Sequence, residues 1–126
     1  MRRVLYVEDE PDIRAIGVLS LEAVGKLDVC ACASGREALE RAPDFAPDLL
    51  LLDVMMPEMD GVATLHALRQ LPATASSPAV FLTAKAQPHE LRALQQAGAI
   101  GVVAKPFDPM TLADELQAMW KQREEP

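Results

Sequence analysis

The chain is organised around a run of four leucines that leads directly into an acid, from Leu49 to Asp53. The run is too apolar for a strand with one face in water, and Pro47 and Pro57 bound it closely. It therefore predicts a central strand of a parallel sheet. Because ligands of open parallel sheets bind just beyond the carboxyl ends of the strands, Asp53 lies where chemistry is expected. The simpler alternative is that Asp53 is a turn residue or a helix N-cap.

The length, composition and net charge of the chain limit the kinds of protein that it can be. The 126 residues predict a single domain over residues 1–126, structured over about 3–123. Charged residues make up 25% and hydrophobic residues 50%, which is typical of a chain that folds into a globular domain. The net charge of -7 argues against non-specific binding to nucleic acid or to anionic membranes, because both need clustered Lys and Arg.

The sequence shows no sign of a membrane segment or a disulfide. No apolar run approaches the roughly 20 residues that span a bilayer, and no signal-peptide pattern opens the chain, so we expect a cytoplasmic protein. Cys30 and Cys32 are two positions apart in a predicted strand, so both point to one face and are poorly placed to bridge each other. We expect two buried thiols. His66 and His89 are isolated in unrelated segments, which favours surface positions over a zinc site.

Five strand patterns alternate with five helix patterns along the chain. The predicted strands cover residues 3–7, 27–32, 48–53, 79–83 and 99–104. The second strand contains an acid and is less hydrophobic than the others, so we place it at an edge of the sheet. Alternating strands and helices imply parallel pairing through right-handed crossovers, with helices on both faces. The predicted fold class is therefore α/β, a doubly wound (βα)5 sheet.

The first helix has a predicted start and a predicted buried face. Pro11 suits the first helical position, because its missing N–H would have no partner inside the helix. The buried face is predicted to comprise Ile13, Ile16, Leu21 and Val24. Gly17 and Ser20 lie between these residues and are small enough to let the helix pack close to the sheet.

The second and the last helix have predicted boundaries. A capping box begins at Ser34, and the helix that follows is predicted to end by Pro43. The last helix is predicted to start within residues 107–109 and to carry Met110 in its apolar stripe. Residues 124–126 are expected to be frayed.

Polar and charged residues stand at the ends of four predicted strands. They are Glu8, Asp9 and Glu10 after the first, Asp53 after the third, Thr83 after the fourth and Lys105 after the fifth. Parallel strands bring these ends to one edge of the sheet, where converging carboxylates repel each other unless a cation lies between them. Hard oxygen ligands suit Mg2+, which is often completed by a phosphate oxygen. With Lys105 and Thr83 neutralising a transferring phosphoryl group, Asp53 is suited to be its covalent acceptor.

Four motifs together resemble the receiver domain of two-component response regulators, the CheY-like family. They cover residues 7–10, 52–61, 81–85 and 104–107, and read VEDE, LDVMMPEMDG, FLTAK and AKPF. Each motif alone is weak, but all four follow the matching strands in the same order and span the chain. The resemblance implies strand order 2-1-3-4-5 and a cis peptide bond between Lys105 and Pro106.

The resemblance also implies a role for each residue of the site. Asp53 would be the phosphoacceptor, Thr83 would hydrogen-bond the phosphoryl group and Lys105 would pair with it. The implied Mg2+ ligands are Asp9, Asp53, the backbone carbonyl of Met55, and Glu8 through a water molecule. Met55 and Lys85 would flank the path of attacking water and influence the lifetime of the phosphoryl group.

The function implied by the resemblance is that of a signalling receiver, not of an enzyme acting on a separate substrate. The chain would accept a phosphoryl group from a histidine kinase or a histidine phosphotransfer protein. It would then change the face that binds a downstream protein, whose identity the sequence does not give. The family often forms homodimers through the face of the fourth helix, fifth strand and fifth helix.

One position departs from the family pattern. Three residues before the matching lysine the family usually carries an aromatic residue, and this chain has Val102. A valine has no ring to bury when Thr83 shifts, so we expect the relay of the signal to differ. Two other functions stay open. One is a docking module that keeps the fold without being phosphorylated. The other is a phosphohydrolase of the haloacid dehalogenase type, which needs an acid where this chain has Met55.

Overall fold

The computed structural model describes residues 1–123, so the predicted fraying of residues 124–126 lies outside the described part. The described residues form a sheet of five strands: β1 (Arg3–Val7), β2 (Asp28–Cys32), β3 (Leu49–Asp53), β4 (Ala79–Thr83) and β5 (Gly101–Ala104). Neighbouring strands are parallel, and their order is β2-β1-β3-β4-β5. The structure confirms the predicted α/β fold, including β2 at an edge.

Helices cover both faces of this sheet. They are α1 (Pro11–Leu19), α2 (Gly35–Phe45), α3 (Gly61–Leu68), α4 (Pro88–Gln96) and α5 (Leu112–Gln122), with a 3-10 turn at Pro72–Thr74. Leu21, just after α1, packs with Leu112 of α5 on one face. Ala38, Leu65 and Leu94 bring α2, α3 and α4 onto the other face. No helix within residues 1–123 is both long and apolar enough to cross a membrane.

The leucine run lies at the centre of both apolar clusters. All five residues of β3 are buried, and their side chains alternate between the faces. Leu50 and Leu52 join the cluster under α2, α3 and α4, whereas Leu49 and Leu51 join the cluster under α1 and α5. Burying each leucine contributes roughly 1.5–3 kcal/mol. A strand covered on both faces therefore gains from leucine at every position.

The predicted buried face of α1 is wrong at Ile16 and Val24, which are 47% and 43% exposed. From Ser20 to Val24 the helix continues as a π-helical turn, which holds more residues per turn than an α-helix and rotates Val24 away from the sheet. Ile16 lies at the margin of the buried face. The small residues behave as predicted: Gly17 and Ser20 are buried, and any side chain on Gly17 would collide with the ring of Tyr6.

The predicted end of α2 at Pro43 is wrong, because the helix runs on to Phe45. Proline has no N–H, so the helix loses one internal hydrogen bond there. The bond from Ala46 N to Ala42 O remains in the last turn, and tertiary contacts add to it. The Arg3 guanidinium donates to the carbonyl oxygen of Phe45 at 2.8 Å and stacks on its ring at 4.3 Å. The helix ends where Ala46 adopts the left-handed conformation, with φ of 51°.

The last helix begins at Leu112 and not within residues 107–109. A turn at Asp108 precedes it, in which the Asp108 carboxylate accepts from Met110 N at 2.9 Å. Such side-chain bonds to nearby backbone compete with helix formation. Met110 therefore precedes the helix with 66% of its surface exposed, so its predicted place in the apolar stripe is wrong.

The cysteines and histidines lie where the sequence predicts. Cys30 and Cys32 are free thiols and both are buried. Burial, together with the neighbouring Cys30, raises the pKa of the Cys32 thiol to about 12, so this thiol stays protonated at neutral pH. His66 and His89 are exposed.

Two buried threonines predict opposite effects of the same substitution. Thr64 and Thr74 are both fully buried, but the Thr74 hydroxyl donates to the carbonyl oxygen of Leu68, whereas the Thr64 hydroxyl has no partner within residues 1–123. Thr64→Val should raise the free energy of unfolding by about 1 kcal/mol, and Thr74→Val should lower it by about 1–3 kcal/mol. Equilibrium chemical denaturation measures both. Equal destabilisation of the two variants would contradict this explanation.

Candidate functional site

The ends of β1 and β3 place three carboxylates side by side. The two strands pair in parallel with Val7 opposite Leu52, so Glu8 and Asp9 follow β1 next to Asp53 at the end of β3. One carboxylate oxygen from each acid lies within 4.8 Å of the other two. Glu8 is fully buried, Asp53 is 3% exposed and Asp9 is half-buried. The structure thus brings Glu8, Asp9 and Asp53 together, whereas Glu10 is exposed at the N-cap of α1 and does not belong to this group.

A single lysine pairs with two of these acids. Lys105 directly follows β5, and its Nζ atom lies 2.9 Å from Glu8 Oε1 and 3.1 Å from Asp53 Oδ1. Burial disfavours the charged ammonium, but its hydrogen bonds to Glu8 and Asp53 outweigh that effect and raise the pKa of Lys105. Lys105 therefore stays charged and holds both carboxylates. The peptide bond between Lys105 and Pro106 is cis, as the family resemblance implies.

Asp53 keeps an excess of negative charge around it despite this pairing. Burial, followed by hydrogen bonding to Glu8 and repulsion from it, raises the pKa of Asp53 to about 7, and Lys105 offsets this only in part. The Asp9 carboxylate makes no hydrogen bond or ion pair with any residue in 1–123. Within residues 1–123 one ammonium pairs with two of these three carboxylates, and the carboxylate oxygens are the hard ligands that Mg2+ prefers. The residues present therefore fit a hard divalent cation.

Thr83 stands beside this cluster, but its hydroxyl bonds elsewhere. It ends β4, in register with Ala104 and one position beyond Leu82, the partner of Asp53. The hydroxyl accepts from Lys85 N at 3.0 Å and donates to Lys85 O at 3.2 Å. Only 3% of Thr83 is exposed. The structure thus places Thr83 at the expected edge, with its hydroxyl engaged by its own loop.

The loop after Asp53 is closed by backbone hydrogen bonds. Val54 N donates to Leu82 O at 3.0 Å, and Gly61 N donates to Val54 O at 2.9 Å. Gly61 lies so close to the backbone of Asp53 that any Cβ there would collide with it, which explains the glycine at this position. The Met55 side chain points outward and is 62% exposed.

Two features of this edge are absent from the sequence-based description. An apolar cavity of about 490 Å3 opens beside Asp53 and Lys105, with Ile16 in its wall. Helical periodicity assigns Ile16 to the core, so no pattern signals the cavity. The second feature is Arg14 of α1, which donates to the carbonyl oxygen of Glu8 at 2.8 Å. The sequence signal for this contact is a basic residue in the first turns of a helix, where side chains lean back toward the preceding loop.

Comparison with known proteins identifies the family. The sequence matches the response regulator receiver domain over residues 4–117. The chain belongs to this family. The receiver domain is similar to the chemotaxis protein CheY4 of Vibrio cholerae, with a TM-score of 0.87 and 34% identity, covering 94% of this chain and 98% of that one. It is also similar to the receiver domain of the sensor histidine kinase PA1611 of Pseudomonas aeruginosa PAO1. In that case the TM-score is 0.79 and the identity 30%, over 97% of this chain and 95% of that one.

Relatives of the receiver domain differ widely in length. It is 37% identical to an uncharacterized 14.6 kDa protein of Leptolyngbya boryana, over 86% of this chain and 82% of that protein. It is 32% identical to the DNA-binding response regulator MtrA of Mycolicibacterium smegmatis, over 98% of this chain and 53% of the regulator. It is 35% identical to the histidine-protein kinase BarA of Escherichia coli K12, over 83% of this chain and 11% of the kinase. The chain thus corresponds to part of the regulator and part of the kinase.

Val102 of the receiver domain lies on β5, half-buried against the cluster under α2, α3 and α4. Its partner in register on β4 is Phe81, which is fully buried. The aromatic ring at this point of the sheet is therefore that of Phe81 on β4, which is buried in the core. Position 102 itself offers no ring that can move between a buried and an exposed arrangement.

In the absence of divalent cations, the receiver domain should lose stability as the pH rises. The pKa of Asp53 is about 7 in the folded protein against an ordinary value of 3.8, so the folded state keeps a proton that the unfolded chain has released. The stabilisation is complete below the ordinary pKa and is lost as the pH rises through the folded value. Denaturation in EDTA should show a fall on the order of 2 kcal/mol between pH 5 and 8. Asp53→Asn should lack this fall, and an equal fall in both proteins would contradict the assignment.

Proposed function

We propose that this receiver domain is a phosphorylation-dependent signalling protein whose phosphoacceptor is Asp53. The observation that carries the proposal is the position of the Asp53 carboxylate, 3.1 Å from the Lys105 ammonium and beside Glu8 and Asp9. A carboxylate in this position has a positive group on one side and cation ligands on the other. The proposed donor is the phosphohistidine of a histidine kinase or of a histidine phosphotransfer protein.

The transfer exchanges one bond to phosphorus for another. A carboxylate oxygen of Asp53 forms the new bond, and the bond from phosphorus to the imidazole nitrogen of the donor breaks. Asp53 attacks in its ionised form, and the leaving imidazole takes up a proton. Negative charge spreads over the equatorial oxygens of the transferring group. Lys105 is placed to pair with one of these oxygens, and Thr83 donates to another after its hydroxyl leaves the carbonyl of Lys85.

The residues that would hold Mg2+ are Asp9, Asp53, the backbone carbonyl of Met55, and Glu8 through water. Bound Mg2+ would supply positive charge that offsets the negative charge of the phosphoryl oxygens. The raised pKa of Asp53 supports this assignment, and so does the Asp9 carboxylate, which no residue in 1–123 engages. The related receiver domain of PA1611 has a magnesium ion coordinated in its active-site cleft.

The proposed partners follow from the relatives. A matching segment occurs both in a histidine-protein kinase and in a DNA-binding regulator. We therefore place this chain between a phosphohistidine donor and an output protein, in the cytoplasm, with no separate substrate. Its net charge of -7 disfavours direct contact with nucleic acid or anionic membranes. The face of α4, β5 and α5 is the proposed surface for output or for homodimer formation.

The two alternative functions fit the site less well. Hydrolysis of the haloacid dehalogenase type needs a second acid two positions after the nucleophile, where this chain carries the exposed Met55. Within residues 1–123 only Glu8 and Asp9 group with Asp53 in an acidic cluster. A docking module without phosphorylation has no use for a buried ion-pair network, which costs desolvation free energy.

Acetyl phosphate with Mg2+ should add one phosphoryl group to the wild type and none to Asp53→Asn, as measured by intact-mass spectrometry. Lys105→Gln should slow the reaction on the order of 100-fold, because it removes a group that stabilises charge in the transition state. Asp44→Asn changes an exposed acid on α2 and is the matched control, expected to react like the wild type. A folded wild type that gains no phosphoryl group would contradict the proposal. A steady turnover of added phosphate esters would favour the hydrolase.

Loading the site should also change the environment of α4 and β5, despite the valine at position 102. Beryllofluoride with Mg2+ mimics the phosphoryl group, and amide signals in two-dimensional NMR spectra report the response residue by residue. We expect shifts over residues 88–104 in the wild type and none in Asp53→Asn. Shifts confined to the residues around Asp53 and Thr83 would show that the site is uncoupled from that face.

A further inference from the structure

The backbone that carries the acid pair is held by a side chain outside the proposed site. Arg14 Nη1 donates to the carbonyl oxygen of Glu8 at 2.8 Å and reaches the carbonyl oxygen of Asp9 at 3.5 Å. One guanidinium nitrogen therefore spans two successive carbonyls. The first bond is short and strong, and the second is at the outer limit of hydrogen bonding.

The acid pair lies in a gap between two regular elements. On the strand side, Glu8 N donates to Cys32 O at 3.0 Å, and on the helix side the first backbone bond runs from Arg14 N to Glu10 O. Within the gap, the Glu8 carboxylate accepts from Glu10 N at 3.2 Å. The Asp9 side chain has no bond to any residue in 1–123, so its direction is set by its backbone alone.

We propose that Arg14 is a positioning residue, which fixes the backbone of Glu8 and Asp9 so that their carboxylates converge on Mg2+. The inference rests on the proposed function, because it takes this pair as cation ligands. Arg14 contacts carbonyl oxygens and not carboxylates, so it leaves the ligand atoms available. Its planar guanidinium is suited to holding two acceptors in one geometry. Partners of this kind, which orient a metal ligand without touching the metal, contribute strongly to metal affinity.

Charge and position predict opposite effects of removing Arg14. The guanidinium and Mg2+ repel each other, so a purely electrostatic effect would make Arg14→Gln bind Mg2+ more tightly than the wild type. A positioning role predicts the reverse, a weakening of roughly 10-fold, because the acid pair is free to move. Arg14→Lys keeps the charge but loses the planar guanidinium that orients the two N–H groups of Nη1, so we expect a smaller weakening.

Arg69 provides a matched control at the opposite end of the sheet. Its Nη1 atom donates to Thr74 O at 2.9 Å and to Ser77 O at 2.5 Å, so it too bridges two carbonyls of a loop. This loop precedes β4, whereas the acid pair follows β1. Arg69→Gln should therefore lower the free energy of unfolding without changing the affinity for Mg2+.

Titration of the full chain with Mg2+ at constant ionic strength tests the proposal, by calorimetry and by the amide signals of residues 8–10. The dissociation constant should rise roughly 10-fold in Arg14→Gln and stay at the wild-type value in Arg69→Gln. Phosphorylation by acetyl phosphate should then need more Mg2+ for half-maximal rate, with the rate at saturating Mg2+ unchanged.

Three outcomes separate this inference from the proposed function. An unchanged or tighter affinity in folded Arg14→Gln overturns the positioning role and leaves the proposed function intact. A wild type that binds no Mg2+ overturns the proposed metal site and the positioning role with it. If Arg14→Gln does not fold, the Mg2+ affinity of Arg14→Lys tests the positioning role. A wild-type affinity for Mg2+ in Arg14→Lys overturns that role.

Discussion

The ion pairs of Lys105 with Glu8 and Asp53 are the interaction on which the functional edge of the sheet depends. Glu8 is fully buried and Asp53 is 3% exposed, so bulk water stabilises neither charge. Removing one partner from such a pair costs about 3–5 kcal/mol, because the other charge stays buried and uncompensated. The lysine comes from the end of β5, two strands away from β3. The charges of Glu8 and Asp53 are therefore compensated only when the last strand of the chain is in place.

Parallel pairing turns residues that are far apart in the sequence into neighbours at one edge. Val7 pairs with Leu52, Asp53 with Leu82 and Thr83 with Ala104, so successive strands end within about one residue of each other. A slip by one position would replace leucine by leucine on both faces, so the register of β3 depends on the polar contacts at its two ends. Before the strand, the Asp48 carboxylate accepts from Arg2 N and Arg3 N, and at its end Asp53 pairs with Lys105.

Sequence reasoning succeeded where one strong periodic signal decides the structure and failed where tertiary contacts decide it. The leucine run predicts a central strand and the strand-end residues predict the edge that carries Asp53, whereas the order of the strands follows from the resemblance to the receiver family. Pro43 stays helical although it lacks an N–H, and Arg3, far away in the chain, helps to hold the last turn of α2. The π-helical turn after α1 and the turn at Asp108 depend on hydrogen bonds that no apolar period encodes. Arg14 contacts backbone carbonyls, which any residue type supplies, so the sequence does not identify its partners.

The contacts between the site and the rest of the fold are stronger through Thr83 and Lys105 than through Val102. Lys105 N donates to Thr83 O at 2.8 Å, so the backbones of these two residues are joined directly. The segment after Lys105 is joined to the π-helical turn after α1 through the Ser20 hydroxyl, which donates to Pro109 O at 2.5 Å. On the other side, Val102 offers only a small, half-buried side chain. A chain of contacts carries a signal only if some element has two arrangements. Thr83 is that element under the proposed function, because its hydroxyl has two competing sets of partners, the Lys85 backbone and a phosphoryl oxygen.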